Sequence, residues 1–292
     1  MSVIPDPRTA PVLPATLRLG PVHLAVTDLD RSIAFYERSI GLPLRRRDDG
    51  VAALGAGTEE VLVLEEEPGA RRAGRHAGLY HVALLHPSRL ELARAAGRLI
   101  ATRTPISGAS DHGISEAIYL SDPDGNGLEL AADRGRERWG DLSDFSTIGP
   151  RPLDLEGLLS LTESEAPQPH ADPDLKVGHL HLHVGRVEEG LSFYRDVVGF
   201  DVMTLMPSAA FVAAGGYHHH LGFNTWRGEG VPPAPPDSVG LRHWTIVLDE
   251  PSLAALRERA ASAGVPVEER GDRLLVRDPW ANALLVVPAP GA

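Results

Sequence analysis

The chain has 292 residues, 30 Gly, 25 Pro and no Cys, and its 28 basic and 40 acidic side chains leave a net charge of −12. Without cysteine, disulfides, iron–sulfur clusters, thiolate zinc sites and cysteine nucleophiles are excluded, so any metal must rest on Asp, Glu or the 13 His. The acidic balance disfavours nucleic acid and anionic membrane as partners. No apolar run approaches the ~20 residues of a membrane span. The opening MSVIPDPRTAPVLPATLRL has no basic stretch leading into an apolar one, so no secretory signal is read and a soluble, cytoplasmic protein is expected. Residues 1–15 are expected to drape loosely over the surface.

Internal repetition organises the rest. VHLAVTDLDRSIAFYERSIGLPL (22–44) aligns without a gap on LHLHVGRVEEGLSFYRDVVGFDV (180–202), and YLSDPDGNGLELA (119–131) echoes VRDPWANALLVVP (276–288). GLYHVALL (78–85) likewise pairs with GLRHWTIVL (240–248). Two repeats are read, 17–133 and 177–289, joined by a polar linker at 134–176 whose acidic part, 162–174, is expected to be mobile. A Pro-rich connector is read at 230–238, and the Arg-rich runs at 45–47 and 71–75 are read as solvated surface.

Each repeat divides again into two βαβββ modules. LRLGPVHLAV alternates as a half-buried strand. Asp28 or Asp30 can then cap a helix whose Ile33, Tyr36 and Ile40 share a face and whose stop is Gly41. Leu191, Tyr194 and Val198, ended by Gly199, repeat the pattern in the third module. Leu92–Ala96–Leu99 and Leu253–Leu256–Ala260 mark the helices of the second and fourth. These stripes are read as core. The chemistry lies on the other strand face. In VGHLHLHV, His179, His181 and His183 oppose Leu180, Leu182 and Val184. Strand alternation extended through YHHHLGFN places His219 with Leu221 and Phe223, opposite His218, His220 and Asn224. Tyr119 and Glu129 face away from Ile118, Leu120, Leu128 and Leu130. An α+β fold follows, with curved cup-shaped sheets, helices outside, and a concavity lined by His, Tyr and Glu.

These residues resemble the vicinal oxygen chelate superfamily, in which paired βαβββ modules form a cup around a metal and which includes glyoxalases, fosfomycin-resistance enzymes and type I extradiol dioxygenases. The run HGISEAIYLSDPDGNGLE (112–129) is similar to the extradiol ring-cleavage signature, a His before a Tyr, then D-P-x-G, then a ligand Glu. Ser110 departs from it, two places before the His, where the signature has Gly or a similar residue. Over nearly the whole chain the sequence looks most like the short four-module bacterial catechol 2,3-dioxygenases. The resemblance implies two His and one carboxylate on Fe(II), with Mn(II) as a substitute, O₂ as co-substrate and a small aromatic diol as substrate.

In the family the ligands are a His on the first strand of one module, and a His and a Glu on the first and last strands of its partner. Modules paired in chain order give Pro21/His81/Glu129 and His179/His243/Leu285, each one ligand short. Pairing the second module with the third completes the set as His81, His179 and Glu129. The expected architecture is therefore 2+3 and 1+4, with the 1+4 pair metal-free and His23 and His243 hydrogen-bonded interior residues. The resemblance further implies His220 as catalytic acid/base, Tyr119 as hydrogen-bond donor to a catechol oxygen, and His112 as the group that orients or deprotonates the substrate. His218 competes with His220, and Asn224 has the facing of a residue that supports a ligand. Two other classes use the same fold: a glyoxalase-like metal isomerase or transferase, and a non-catalytic ligand-binding or resistance protein. Exposed module edges leave a homodimer open.

Overall fold

A computed structural model describes residues 12–144 and 148–290. Residues 1–11, part of the segment expected to drape loosely, lie outside the described residues. Two sheets organise the described chain. The first runs β15 (Val267–Arg270), β16 (Arg273–Arg277), β17 (Ala283–Pro288), β14 (Gly240–Leu248), β2 (Val22–Val26), β5 (Leu62–Glu66), β4 (Val51–Leu54) and β3 (Leu44–Asp48), with β1 (Arg18–Leu19) paired to β14. The second runs β11 (Asp201–Met206), β12 (Ala209–Ala213), β13 (Leu221–Asn224), β10 (Lys176–His183), β6 (Gly78–His86), β9 (Gly127–Asp133), β8 (Ser115–Ser121) and β7 (Gly108–Asp111).

The same local logic recurs four times. A first strand pairs in parallel with the last strand of its own module, as β2 with β5, β6 with β9, β10 with β13 and β14 with β17. Such parallel pairs need a crossover, and a helix supplies part of it. Each sheet then joins two modules antiparallel through their first strands, β14 on β2 and β10 on β6. The second sheet thus combines strands from 78–133 with strands from 176–224, while the first combines the two ends of the described chain.

Neighbours in sequence are tied through their helices instead. The Leu29–Phe35 helix, capped by Asp28, continues as a π-turn over Tyr36–Ile40 and stops at Gly41, whose φ is 83°. Ser192–Val198 and Gly199, at φ 109°, repeat this ending. Glycine suits these stops because left-handed backbone strains any residue with a Cβ. Tyr36 donates to Asp122, and Tyr194 to Asp278, both carboxylates belonging to the D-P turns of the next module. Arg98 reaches the carbonyl of Ile40, and Arg259 those of Val197 and Val198, so a cation covers each helix C-terminus. Tyr36, Tyr194, Phe200, Phe223 and Trp244 are the largest wholly buried side chains of the core between helices and sheets. The connecting stretch packs as well. Leu158 and Ala171 are buried, Glu165 pairs with Arg94 at 2.9 Å, and Ala171 N–H donates to Gly41. The 162–174 stretch, expected to be mobile, is largely exposed and is anchored at Glu165 and Ala171.

His86, at the end of β6, is buried with neither ring nitrogen hydrogen-bonded. Burial, followed by the nearby Arg98 guanidinium, pushes its pKa down to about 3. Its folded value lies below the unfolded ~6.5, so the unfolded chain binds the extra proton and stability is lost as pH falls through that window. The contribution is about 3 kcal/mol by pH 4.5. His86→Leu should therefore lose less stability than the parent between pH 7 and pH 4.5, measured by urea midpoints. Equal losses in the two proteins would show that His86 is protonated freely in the fold.

Candidate metal centre

Register builds the site. Opposite Ala83 of β6 stand His179 of β10 on one side and Glu129 of β9 on the other. His81, two residues earlier on β6, shares the face of Ala83. The three side chains therefore rise from adjacent strands on one side of the sheet. Gly127 permits the close approach of β9 to β6, since a Cβ there would sit 1.9 Å from the Tyr80 carbonyl oxygen.

Glu129 Oε2 lies 2.9 Å from His81 Nε2 and 3.1 Å from His179 Nε2, and all three residues are buried. Burial alone would push the Glu129 carboxyl up, but His179 and His81 hold it well below the usual carboxylate range. His81 Nε2 is buried at ion-pair distance from Glu129 but is not aligned with it for a hydrogen bond. A buried imidazole nitrogen, free of any aligned hydrogen bond and converging with a second imidazole and an ionised carboxylate, is a donor set a divalent first-row metal could fill.

The cavity above these residues has a volume of about 330 Å³. His112 and Tyr119 both line it, His112 Nε2 lying 2.7 Å from the Tyr119 hydroxyl. Burial and the Glu129 charge raise the Tyr119 pKa, so the phenol keeps its proton. Burial lowers the pKa of His112. Phe211, Met206, Ile114 and Ile148 add apolar walls, and Tyr80 and Trp226 add aromatic faces that remain 40% and 51% exposed.

The histidine triplet does not follow the alternation expected of it. Gly215 and Gly216, with φ of 61° and 65°, form a turn, and β13 begins only at Leu221. His218 and His219 line the cavity, whereas His220 does not. His220 Nδ1 accepts the Ala214 N–H at 3.2 Å and its ring packs against Tyr217 at 4.8 Å. The structure thus does not bring His220, expected as the acid/base, to the cavity wall: its ring is engaged with the turn. His219, which the expected alternation turned away, packs tilted against His179 with ring centroids 4.1 Å apart. His218 Nδ1 lies 2.8 Å from His219 Nδ1, and His218 Nε2 lies 3.1 Å from Asp133.

Asn224 is wholly buried beneath the cavity, with Nδ2 2.9 Å from His181 Nε2 and Oδ1 2.8 Å from His183 Nδ1. It orients rings and does not reach the cavity. His243 stands in the other sheet, stacked on His23 at 3.9 Å. Sequence reasoning missed His219, Tyr80 and Trp226. The HHH run pointed to the first of these, while the two aromatics lie outside any recognised motif.

Two stretches, 18–130 and 176–282, match the family model described as the glyoxalase/bleomycin resistance protein/dioxygenase superfamily. The chain belongs to this superfamily. Within it, the chain is 40% identical over 274 residues to a protein named catechol-2,3-dioxygenase from Bacillus subtilis (strain 168), an alignment covering 91% of this chain and 95% of the relative. Glyoxalase I from Zea mays superposes with a TM-score of 0.60 at 19% identity, covering 94% of this chain and 92% of that one. The cppA protein from Streptococcus pneumoniae TIGR4 superposes with a TM-score of 0.57 at 14% identity, covering 93% and 100%. At such identities the last two speak for the superfamily fold alone, two curled sheets with helices outside. Among the described residues no helix is long and apolar enough to cross a membrane.

Proposed function

We propose that the chain is an extradiol ring-cleaving dioxygenase that converts catechol or a substituted catechol and O₂ to a hydroxymuconic semialdehyde-type product. His81, His179 and Glu129 would hold Fe(II), or Mn(II) in its place. The observation that carries this reading is their convergence, with the His112–Tyr119 pair, in one aromatic-walled cavity. The 40% identical relative named as a catechol dioxygenase supports it. The functional cup would then be built by the second and third modules, across the boundary between the sequence repeats. A metal held by these three residues would supply a Lewis-acidic, redox-capable centre for binding the diol and O₂.

The protein's own groups have assignable tasks. Burial opposes charge on Asp133, but hydrogen bonds from His218 and Tyr217 hold its carboxyl below the ordinary value. A carboxylate only accepts, so His218 Nε2 donates to it. Burial keeps His218 neutral, so its Nδ1 is an acceptor, and His219 Nδ1 must donate to it. That order leaves the His219 Nε2 lone pair free to take a proton from a substrate hydroxyl and to return it later in the reaction. Tyr119, kept protonated, presents its hydroxyl to a diol oxygen, and His112 at 2.7 Å fixes where the phenol points. The apolar walls hold the flat ring and exclude water.

Oxygen consumption tests the proposal. After anaerobic loading with Fe(II), catechol or an alkylcatechol plus air should consume one O₂ per diol and give the yellow ring-fission chromophore. No O₂ uptake with any catechol, together with O₂-independent turnover of a glutathione hemithioacetal, would assign the cavity to glyoxalase-type chemistry instead.

A further inference from the structure

The sheet built from the two ends of the described chain carries its own convergence of two imidazoles and a carboxylate. His23 of β2 and His243 of β14 lie directly opposite one another in register. Glu65 of β5 is opposite Ala25, two residues beyond His23. This is the relation Glu129 bears to His81 in the other sheet, where Glu129 is opposite Ala83. The two sheets therefore place a His and a Glu on the same diagonal of a parallel strand pair. The third donor arrives differently: β10 brings His179 opposite Ala83, whereas β14 brings His243 opposite His23 itself. That register explains why the two rings stack, with centroids 3.9 Å apart and planes at 26°.

We infer that His23, Glu65 and His243 form a second centre for a divalent first-row cation. His23 Nδ1 lies 2.9 Å from Glu65 Oε1, and one donor atom from each of the three residues lies within 4.8 Å of the others. Tetrahedral coordination with bonds of ~2.1 Å sets donors roughly 3.4 Å apart, so rotation of half-exposed side chains suffices to close the set. The residues point away from Val22, Leu24 and Trp244, which fill the core on the other face of the same strands. Two imidazoles and one carboxylate without a thiolate suit Zn(II), Fe(II) or Mn(II). These three side chains are partly exposed, whereas His81, Glu129 and His179 are buried, so this centre binds more weakly than the one at Glu129. A cation there would tie β2, β5 and β14 together, and so join the first module to the fourth.

This inference does not depend on the proposed oxygen chemistry, because its readout is metal stoichiometry. The chelator-stripped full chain is titrated with Zn(II) by calorimetry, and bound metal is counted by elemental analysis after desalting. The parent should take two equivalents, one tight and one weak. Glu129→Gln should lose the tight equivalent and keep the weak one. His23→Ala and His243→Gln should each do the reverse, with unchanged thermal unfolding of the metal-free forms as the control for folding. A single equivalent in the parent would overturn the second centre. So would a weak equivalent that persists when Glu129→Gln is combined with either histidine substitution.

Discussion

Glu129→Gln should abolish metal retention and ring cleavage together. Glutamine preserves the length and one carbonyl oxygen, so packing changes little, but it removes the single negative charge among the three converging donors. In the parent that charge is held by His179 and His81 against the cost of burial. The neutral amide offers a weaker oxygen ligand and would leave an N–H₂ group among imidazole nitrogens. Loss of a supporting outer partner costs metal sites about 10–100-fold in affinity, and loss of a ligand should exceed that. Elemental analysis of the desalted protein and an O₂ electrode with catechol give the two readouts. Full activity with normal iron content in Glu129→Gln would remove Glu129 from the centre.

His219→Phe should separate the two properties. Phenylalanine keeps an aromatic ring against His179 and Phe211, whose ring centroids lie 4.1 and 5.1 Å from that of His219, but it can neither take nor return a proton. Turnover should fall by about 10²–10⁴ with iron content preserved. The fall should appear in kcat more than in KM, since a proton-transfer group acts in the transition state. Loss of iron in His219→Phe would make His219 a ligand, and unimpaired turnover would leave the proton to another group. His220→Phe provides the contrast, because His220 Nδ1 is already engaged by Ala214 N–H and the ring lies off the cavity wall. Its effect should be confined to stability.

The superfamily and its α+β fold were legible because the repeat shows itself through helix stops and strand faces. Gly41 and Gly199, and the D-P turns at Asp122 and Asp278, recur at matching places and hold matching Tyr contacts. The facing of His81, His179, Tyr119 and Glu129 followed from strand alternation, which holds wherever a regular ladder is formed. His219 illustrates where that logic stops. Alternation assumes a continuous strand, but Gly215 and Gly216 turn the backbone and release 218–220 from the period of two. Glu65 was overlooked for another reason. Its relation to His23 is a diagonal across a parallel pair, and that register becomes visible only when β2 and β5 are set side by side. Tyr80 of β6 and Trp226 of the turn after β13 meet with ring centroids 5.5 Å apart, a proximity between segments distant in sequence that no local motif encodes.

The crossed arrangement has a structural rationale. Helices bind sequence neighbours through Tyr36–Asp122 and Tyr194–Asp278, while sheets bind modules from opposite repeats. Each module thus contacts one partner through its helix side and another through its strand edge. A metal on His81, Glu129 and His179 would fasten the second of these contacts at the β6–β10 seam.

Anomalous diffraction at the iron edge from crystals of the Fe(II)-loaded protein, grown without O₂, tests this account most directly. A peak is expected within bonding distance of His81 Nε2, His179 Nε2 and an oxygen of Glu129, at the seam between the two repeats. Iron bound elsewhere, with no peak among these three atoms, would contradict it.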